Sequence, residues 1–324
     1  MRLMESRVQR VSQPITVSAA AKLNLSLAVL ARRPDGFHEI ESLVVPVSLQ
    51  DTLRVRATAA PGIRLRVRFG GRLATRAGKS LAVDVPTDDT NLVVRSARLL
   101  ADEIGIDVDR GPGLDVDLVK RIPSGSGLGG GSSDAAAVLM AAAQVWHADL
   151  PRERLAAIGA KIGSDVPLFF AGGAALVTGR GEGIEPVTGI PALHAVIARP
   201  TAGLSTAAVY GRCVPEPGRV GQAATLAAAL TAGRFRGAMP LLHNSLEAPA
   251  RAMCDAVRLL LEQFERAGAA RPLLTGSGSA CFALVRSAAE ARGIAARLDA
   301  AGWPGVFAVR LRPRGRSAQP LVAA

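Results

Sequence analysis

The sequence predicts a two-lobed α+β protein, and three observations predict it. Alternating apolar and polar residues, typical of strands, dominate residues 15–119. Well-signalled helices interrupt and follow them, and after about residue 185 short strands alternate with helices. A chain of 324 residues with 49% hydrophobic side chains can fill two cores. We therefore expect an N-terminal lobe at 1–185, a C-terminal lobe at 186–311 and a flexible tail at 312–324.

Arginine-rich strands come early in the N-terminal lobe. Apolar residues alternate with arginines over residues 53–56 and again over 63–69. This pattern predicts an antiparallel hairpin whose arginines lie in solvent. A helix is predicted over 91–104, with a cap from the turn at 86–90, and a further strand over 114–118.

The densest glycine segment, residues 125–134, follows that strand. It leads into an alanine-rich helix predicted over 133–146, with serine and aspartate as caps. A second helix is predicted over 151–162, because it begins with proline and stops at Gly163. A turn at 164–167 comes next, so the glycine segment is predicted to connect a strand to the start of a helix.

The second half of the chain is predicted to contain fewer and shorter strands. Strands are expected over 194–199 and 281–285, a helix beginning at 205–210, and a long helix over 249–267.

The charge balance is strongly basic. The chain has 39 basic and 27 acidic residues, a formal net charge of +12. Only four of the basic residues are lysines: Lys22, Lys79, Lys120 and Lys161. Such a balance suggests a polyanionic partner, which could be nucleic acid, an anionic membrane or a phosphate-rich small molecule.

Composition excludes several classes of protein. The charged N-terminus has no apolar segment behind it, and the longest apolar run, 135–143, is about half of a membrane span. We therefore expect a cytoplasmic protein without a membrane partner. The three cysteines and four histidines lack the spacing of a disulfide framework or a zinc site. Aromatic residues make up 3% of the chain, too few for stacking on single-stranded nucleic acid, so no nucleic-acid partner is expected.

The glycine segment has the properties of a phosphate-binding loop. Exposed N–H groups at a helix start bind phosphate, and glycines let the ligand approach closely. A flexible Gly/Ser turn is the alternative, but a strand before and a helix after favour the phosphate loop. Gly125, Gly127 and Gly130 match GxGxxG by spacing, although the acidic residue expected about 20 residues later would lie in a loop between helices. A Walker loop requires a lysine directly after its glycines, and no lysine follows the glycines here.

Three segments, in this order, resemble the three motifs of the GHMP kinase family. AAKLNLSL at 20–27 resembles the first, GLGGGSSDAAA within 123–137 the second, and LLTGSGSACFAL at 273–284 the third. Ala20 stands where the family usually has proline, and Ser279 where many members have proline or alanine. Neither departure removes a reacting group.

The resemblance implies a fold and an activity. The implied fold is that of a GHMP kinase, with an N-terminal ribosomal-protein-S5-like α/β lobe and a C-terminal ferredoxin-like lobe. ATP and Mg²⁺ are the implied cofactors, an alcohol is the implied phosphoryl acceptor, and a monomer or homodimer is expected. Segments at 23–55, 163–182, 198–210 and 243–250 resemble one branch of the family. That branch phosphorylates the 2-hydroxyl of a cytidine-diphosphate-linked methylerythritol in the non-mevalonate isoprenoid pathway.

Asp165 and Lys22 are the catalytic pair that the resemblance implies. A carboxylate near a hydroxyl can take its proton, and an ammonium group can stabilise charge on the oxygens. Without the resemblance, local sequence favours a helix-end cap for Asp165 and a solvated surface position for Lys22.

The resemblance assigns Asn24, Phe37 and His38 to the substrate. The Phe37 ring, which replaces a tyrosine usual in the family, would stack on cytosine, and His38 would hydrogen-bond the base. Without the resemblance, Asn24 could be a strand-end amide and His38 an inert loop residue.

The remaining implied site residues belong to the two glycine-rich motifs. The residues implied for ATP are Pro123, Gly125, Gly127, Leu128, Gly129, Gly130, Gly131, Ser132 and Ser133. The third-motif loop is implied to lie beside the reacting groups through Gly276, Ser277 and Gly278. Ser132 or Ser133 is also an implied Mg²⁺ contact, although both could simply cap the helix.

Two other interpretations stay open. One keeps the fold and changes the acceptor to homoserine, mevalonate or galactose. The other is a basic RNA-binding module that uses the arginine-rich strands, which leaves the glycine segment without a role.

Overall fold

The protein is described by a computed structural model that covers residues 13–82 and 85–313. Within these residues the strands are β1 (Ile15–Arg32), β2 (His38–Thr58), β3 (Ile63–Phe69), β4 (Gly113–Lys120), β5 (Ala175–Gly179), β6 (Gly183–Pro186), β7 (His194–Arg199), β8 (His243–Asn244), β9 (Pro272–Leu274), β10 (Cys281–Val285) and β11 (Gly305–Arg310).

Helices cover both sheets. The α-helices of the described residues are α1 (Leu92–Ile104), α2 (Gly130–Val145), α3 (Arg152–Ala160), α4 (Thr206–Gly211), α5 (Gln222–Thr231), α6 (Phe235–Ala238), α7 (Glu247–Met253), α8 (Asp255–Arg266) and α9 (Ala288–Ala300). Short 3-10 helices lie at Gly71–Ala74, Lys79–Leu81, Pro167–Phe170, Pro217–Arg219 and Met239–Leu241.

The strands form a seven-stranded and a four-stranded sheet. The first has the order β3-β4-β2-β1-β8, with β5 paired to β2 and β6 paired to β5. The second has the order β11-β7-β10-β9, and all of its pairs are antiparallel. The predicted strands at 194–199 and 281–285 are confirmed as β7 and β10.

The predicted hairpin of arginine-rich strands is wrong. β4 lies between β2 and β3, antiparallel to the former and parallel to the latter. Asp115 of β4 accepts hydrogen bonds from Arg56 at 2.6 Å and Arg64 at 2.7 Å. Asp117 accepts one from Arg66 at 2.7 Å. Because like charges on neighbouring strands repel, an acidic strand between the two basic ones is the better arrangement.

Helices α1, α2 and α3 share one buried core with the first sheet. Its members include Val55, Leu100, Leu118, Leu139 and Ile158. The predicted helix at 91–104 is confirmed as α1. Its cap is Asn91 itself, whose side chain accepts from the Val93 N–H at 2.8 Å, and not a residue of the preceding turn.

The long helix predicted over 249–267 is two helices. Cys254 has an extended backbone, with φ −145° and ψ 99°, and separates α7 from α8. This bend lets Val257, Leu261 and Phe264 of α8 join the core on the second sheet.

The two sheets also share a buried cluster. Leu23 and Leu25 of β1 belong to the same apolar cluster as Ile197 of β7 and Phe282 of β10. The chain returns to the first sheet at β8, and the lobe boundary at residue 185 stays a prediction. None of the described helices is both long and apolar enough to cross a lipid bilayer.

The first residues of the predicted flexible tail are bound to the first sheet. The Arg312 N–H donates to the Pro46 carbonyl at 2.7 Å, and the Pro313 carbonyl accepts from the Ala174 N–H at 3.0 Å. The flexible tail at 312–324 stays a prediction, and residues 314–324 lie outside the described part of the chain.

Candidate active site

The glycine loop joins β4 to α2 and leaves the start of the helix uncapped by side chains. The helix begins at Gly130, three residues earlier than predicted, and its cap residue Gly129 has φ +70° and no side chain to accept a hydrogen bond. Ser132 and Ser133 lie inside the helix, so the interpretation that they cap it is wrong. The uncapped N–H groups of the first turn and the helix dipole favour an anionic ligand.

The loop packs directly against the third motif. A Cβ on Gly127, which has φ +77°, would lie 2.2 Å from the Thr275 carbonyl oxygen, so only glycine fits there. The Ala280 N–H donates to the Ser126 carbonyl at 3.1 Å. The second and third motifs therefore touch through their backbones.

A cavity of about 330 Å³ opens along the glycine loop. Seven of the predicted nucleotide residues line it: Pro123, Gly125, Gly127, Gly129, Gly130, Gly131 and Ser132. Leu128 and Ser133 are buried and are not among the residues that line it. The lining also includes residues that were not predicted from the sequence, among them Pro86, Asn91 and Leu92.

Lys22 lies on β1 where the pairing with β2 is irregular. Register shifts occur between Ala20 and Lys22 and again between Asn24 and Ser26. Such bulges change the direction of a side chain next to a site. The Lys22 N–H donates to the Leu128 carbonyl at 2.9 Å, which ties the first motif to the glycine loop.

The structure brings Lys22 and Asp165 together. The Lys22 Nζ atom lies 3.8 Å from Asp165 Oδ2, and the side chains are 7% and 52% exposed. Burial lowers the pKa of Lys22, while the Asp165 charge acts in the opposite direction. The pair therefore offers a solvent-accessible carboxylate next to a largely desolvated ammonium group.

Asn24 holds Lys22 in place. Its Oδ1 atom accepts from Lys22 Nζ at 2.6 Å, and its Nδ2 donates to Ser42 Oγ at 2.9 Å. Its backbone N–H donates to Thr275 Oγ1 at 3.0 Å. The side chain is buried and bonded within the protein, so its contribution in this structure is to position the lysine.

The third-motif loop lies beside the same ammonium group. A Cβ on Gly276 would lie 3.4 Å from Lys22 Nζ. Ser277 Oγ is 2.8 Å from Thr206 Oγ1, and Gly278 has φ +85°. Asn244, which the sequence analysis did not select, donates from Nδ2 to the carbonyls of Leu274 and Gly276, both at 2.9 Å.

Phe37 and His38 lie at the start of β2. The Phe37 side chain is half exposed, and the Arg180 guanidinium carbon lies 4.8 Å from its ring centroid. The His38 ring centroid lies 5.1 Å from that of Tyr210. Burial and, to a lesser extent, the charge of Arg32 lower the pKa of His38, so its neutral form, with one donor and one acceptor, prevails at pH 7.

Tyr210 lies between these rings and the Lys22–Asp165 ion pair. Burial raises the pKa of Tyr210, and the Asp165 charge adds to the effect. The ring thus lies against His38 and within electrostatic reach of Asp165. It is the single tyrosine of the chain, which was the one sequence feature that could have drawn attention to it.

A buried ion cluster beneath the glycine loop was also not predicted from the sequence. Lys120 Nζ donates to Asp134 Oδ2 at 2.8 Å and to Asp51 Oδ2. Burial alone would lower the pKa of Lys120, but the two carboxylates outweigh it and the pKa is raised. Burial raises the pKa of Asp134 to about 8, although the Lys120 charge opposes this. Lysine is rare in this chain, and that rarity was the sequence feature that could have marked Lys120 as a candidate site residue.

Family models match both halves of the chain. The model described as GHMP kinases N terminal domain matches residues 91–173, and that described as GHMP kinases C terminal matches residues 226–304. A 4-diphosphocytidyl-2-C-methyl-D-erythritol kinase of Rhodopirellula baltica is 41% identical over 95% of this chain and 96% of its own length. The enzyme of the same name from Mycobacterium tuberculosis is 38% identical over 89% of this chain and 87% of its own length.

Solved structures show the same relationship. A crystal structure of 4-(cytidine 5'-diphospho)-2C-methyl-D-erythritol kinase has a TM-score of 0.73 at 32% identity, covering 92% of this chain and 99% of its own. Homoserine kinase from Cytophaga hutchinsonii has a TM-score of 0.70 at 21% identity, covering 94% of this chain and 96% of its own. At that identity the second likeness concerns the fold alone.

Proposed function

The chain belongs to the GHMP kinase family, and from this premise we propose that it transfers the γ-phosphoryl group of ATP to the 2-hydroxyl of 4-diphosphocytidyl-2-C-methyl-D-erythritol. The observation that carries the proposal is the convergence of three distant segments on one ion pair. Lys22 of the first motif lies 3.8 Å from Asp165, with Gly129 of the second motif and Gly276 of the third against its side chain.

ATP is proposed to bind in the cavity along the glycine loop, with its phosphates at the start of α2. Phosphoryl transfer depends mainly on positioning and on stabilising charge, and the uncapped N–H groups of Gly130 and Gly131 supply both. Pro86 and Leu92 line the same cavity and offer apolar surface for the base.

We propose that a magnesium ion enters the cavity together with ATP. Mg²⁺ usually binds substrate phosphates, waters and only one or two protein oxygens. No group of three or more His, Cys, Asp or Glu side chains that could hold a metal ion is found among the described residues. We propose Ser132 as the protein contact, because it lines the cavity while Ser133 is buried. When bound, the ion would neutralise charge on the β- and γ-phosphates.

Asp165 is proposed as the base and Lys22 as its electrostatic partner. The exposed Asp165 carboxylate can accept the proton of the acceptor hydroxyl as that oxygen attacks phosphorus. The Lys22 ammonium, held by Asn24, can stabilise charge on the attacking oxygen or the transferred phosphoryl group.

The cytidyl group is proposed to bind between the rings at the start of β2 and on α4. Phe37 offers an exposed ring face for stacking, and neutral His38 offers one donor and one acceptor to the base. Tyr210 lies next to His38 and within electrostatic reach of Asp165, so a base bound there would direct its linked alcohol towards the carboxylate. ATP as the second substrate supports a cytoplasmic location.

The structure weakens the RNA-binding alternative. That interpretation uses the arginines of β2 and β3, and three of them, Arg56, Arg64 and Arg66, are paired with aspartates of β4.

The acceptor can be tested by an assay of ADP release with a panel of alcohols. We expect release with the cytidyl substrate to exceed release with homoserine, mevalonate or galactose by orders of magnitude. A comparable or higher rate with one of those three would replace the proposed acceptor, and ATP hydrolysis that no alcohol stimulates would contradict the kinase assignment.

A further inference from the structure

A single buried carboxylate is bonded to the strand end from which the glycine loop leaves. Asp51, on β2, accepts from the backbone N–H groups of Arg121 and Ile122 through Oδ1, the latter at 2.8 Å. Its other oxygen, Oδ2, accepts from Lys120 Nζ. These three residues are the last before Pro123, where the loop begins.

The same cluster reaches the other end of the loop. Lys120 Nζ also donates to Asp134 Oδ2 at 2.8 Å, and Asp134 lies in the second turn of α2. A Cβ on Gly130 would lie 3.3 Å from Lys120 Nζ, so the lysine also contacts the first residue of the helix. Asp51 and Lys120 therefore connect both ends of the loop to the centre of the first sheet.

Stability alone is a weak explanation for this cluster. Asp51, Lys120 and Asp134 are 0%, 3% and 2% exposed. Removing a buried ion pair from water costs so much free energy that replacing the pair by apolar residues is often neutral or stabilising. In some proteins such groups are retained because they fix the local geometry. Lys120 and Asp134 line the cavity, so the geometry they fix is that of its wall.

We propose that Asp51 is a positioning residue for the nucleotide, acting through Lys120 and the N–H groups of Arg121 and Ile122 to hold the glycine loop in its phosphate-binding conformation. The inference rests on the proposed function, because it assumes that this loop binds ATP. It also means that a residue outside the three motifs, and without contact to the cavity, determines nucleotide affinity.

The chain contains a matched control on the same sheet. Asp115 is a buried aspartate with two arginine partners, near the end of β4 opposite to Lys120. Asp115→Asn removes the charge of a buried aspartate, whose two arginine partners are 45% exposed, without touching the loop. It should lower thermal stability in the way that a purely structural aspartate would.

The test compares binding of ADP, measured by calorimetry, and KM values for both substrates. Asp51→Ala should raise the Kd for ADP and the KM for ATP by at least about tenfold, because small displacements of binding groups are costly. Asp51→Asn should have a smaller effect, since its amide oxygen can still accept from the loop N–H groups. In both variants the KM for the cytidyl substrate should stay within about twofold of wild type, and Asp115→Asn should leave the Kd for ADP within about twofold.

Lys120→Met supplies a second variant if Asp51→Ala does not fold. It should raise the Kd for ADP. The Lys120→Met/Asp51→Asn double variant should have a Kd for ADP no higher than that of the single variant with the higher Kd, because both substitutions break the same Asp51–Lys120 contact. A Kd for ADP equal to that of wild type in either Asp51→Ala or Lys120→Met would overturn the inference. An increase in the Kd for ADP of the same size in Asp51→Ala and Asp115→Asn would also overturn it. Wild-type protein that binds no ADP would instead contradict the proposed function.

Discussion

The environment of Lys22 explains why lysine occurs there in a chain whose basic residues are mostly arginines. Its stem passes Gly129, where a Cβ would lie 3.0 Å from Lys22 Cγ, and its ammonium group meets Asn24 and Asp165. An ammonium group is compact and can meet these partners where a planar guanidinium would need more room. The resemblance to the family predicted that Lys22 and Asp165 act as a pair. Local sequence alone could not predict this, because the two residues are more than a hundred positions apart in the chain.

Replacement of Asp165 tests the proposed base. Asp165→Asn should lower kcat by about 10²- to 10⁴-fold, because the amide cannot take the proton of the hydroxyl. The Kd for ADP should stay within about twofold, since the side chain does not line the nucleotide cavity. Steady-state ADP release and calorimetry measure the two quantities, with exposed Asp149→Asn as the control. A near-normal kcat would remove Asp165 from the role of base.

Truncation of Phe37 tests the cytidyl pocket. Phe37→Ala should raise the KM for the cytidyl substrate about tenfold or more, because stacking on a base contributes roughly 1–3 kcal/mol. The KM for ATP should not change. Leu259→Ala is a suitable control, since Leu259 is a large exposed apolar residue on α8, and it should affect neither KM. An effect of Phe37→Ala on ATP alone would show that the pocket is misplaced.

At the scale of elements, the sequence predicted the existence of strands and helices better than their partners. The alternation at 53–56 and 63–69 identified β2 and β3, but nothing local indicated that β4 would lie between them. Pairing is decided by contacts between distant segments, and here by the complementarity of Asp115 and Asp117 with the arginines. The division of the long helix at Cys254 was missed for the same reason, because packing of α8 on the second sheet decides it.

The contact between the second and third motifs can be tested at Gly127. Gly127→Ala introduces a Cβ at φ +77° and 2.2 Å from the Thr275 carbonyl oxygen. Gly105→Ala has nearly the same φ, +74°, but nothing within 4 Å, so it should cost only about 1–2 kcal/mol of backbone strain. Urea unfolding should show a larger loss in the free energy of unfolding for Gly127→Ala than for Gly105→Ala. The KM for ATP should also rise in Gly127→Ala. Equal losses in the two variants would contradict the close approach of the loops.

A polar cluster around Glu216 joins the end of β1 to β8 and predicts a pH dependence of stability. Glu216 Oε2 accepts from His243 Nε2 at 2.8 Å and from Ser245 Oγ, and Oε1 accepts from Arg219 at 2.9 Å. Burial would raise the pKa of Glu216, but these hydrogen bonds outweigh it and lower the pKa to about 2. Because the folded pKa lies below the ordinary value of 4.5, the stabilisation is complete above pH 4.5 and is lost as the pH falls towards 2.

Glu216→Gln should therefore lower the free energy of unfolding by about 1–3 kcal/mol at pH 7. The difference from wild type should shrink as the pH falls below 4.5, and urea unfolding across this range measures it. Glu265→Gln, at an exposed position of α8, is the control and should show little difference at any pH. A constant difference between wild type and Glu216→Gln from pH 7 to 3 would contradict the predicted linkage.

At the scale of the whole molecule, the site is made by bringing the two sheets together. β1 carries Lys22 and Asn24, and the loop between β9 and β10 carries Thr275 and Gly276 against them. The shared apolar cluster holds this arrangement, since it contains residues of both sheets. The motifs allowed the sequence to predict which segments meet. They gave no indication of Tyr210 or Asp51, because the contacts of both residues are with distant parts of the chain, which no local pattern marks.

The central claim is that this assembled site moves a phosphoryl group from ATP to an alcohol linked to a cytidine diphosphate. ³¹P nuclear magnetic resonance of the reaction mixture tests it most directly. We expect a new phosphomonoester signal to grow in proportion to ADP, and only when the cytidyl substrate is present. Release of ADP with inorganic phosphate alone, at the same rate with or without that substrate, would contradict it.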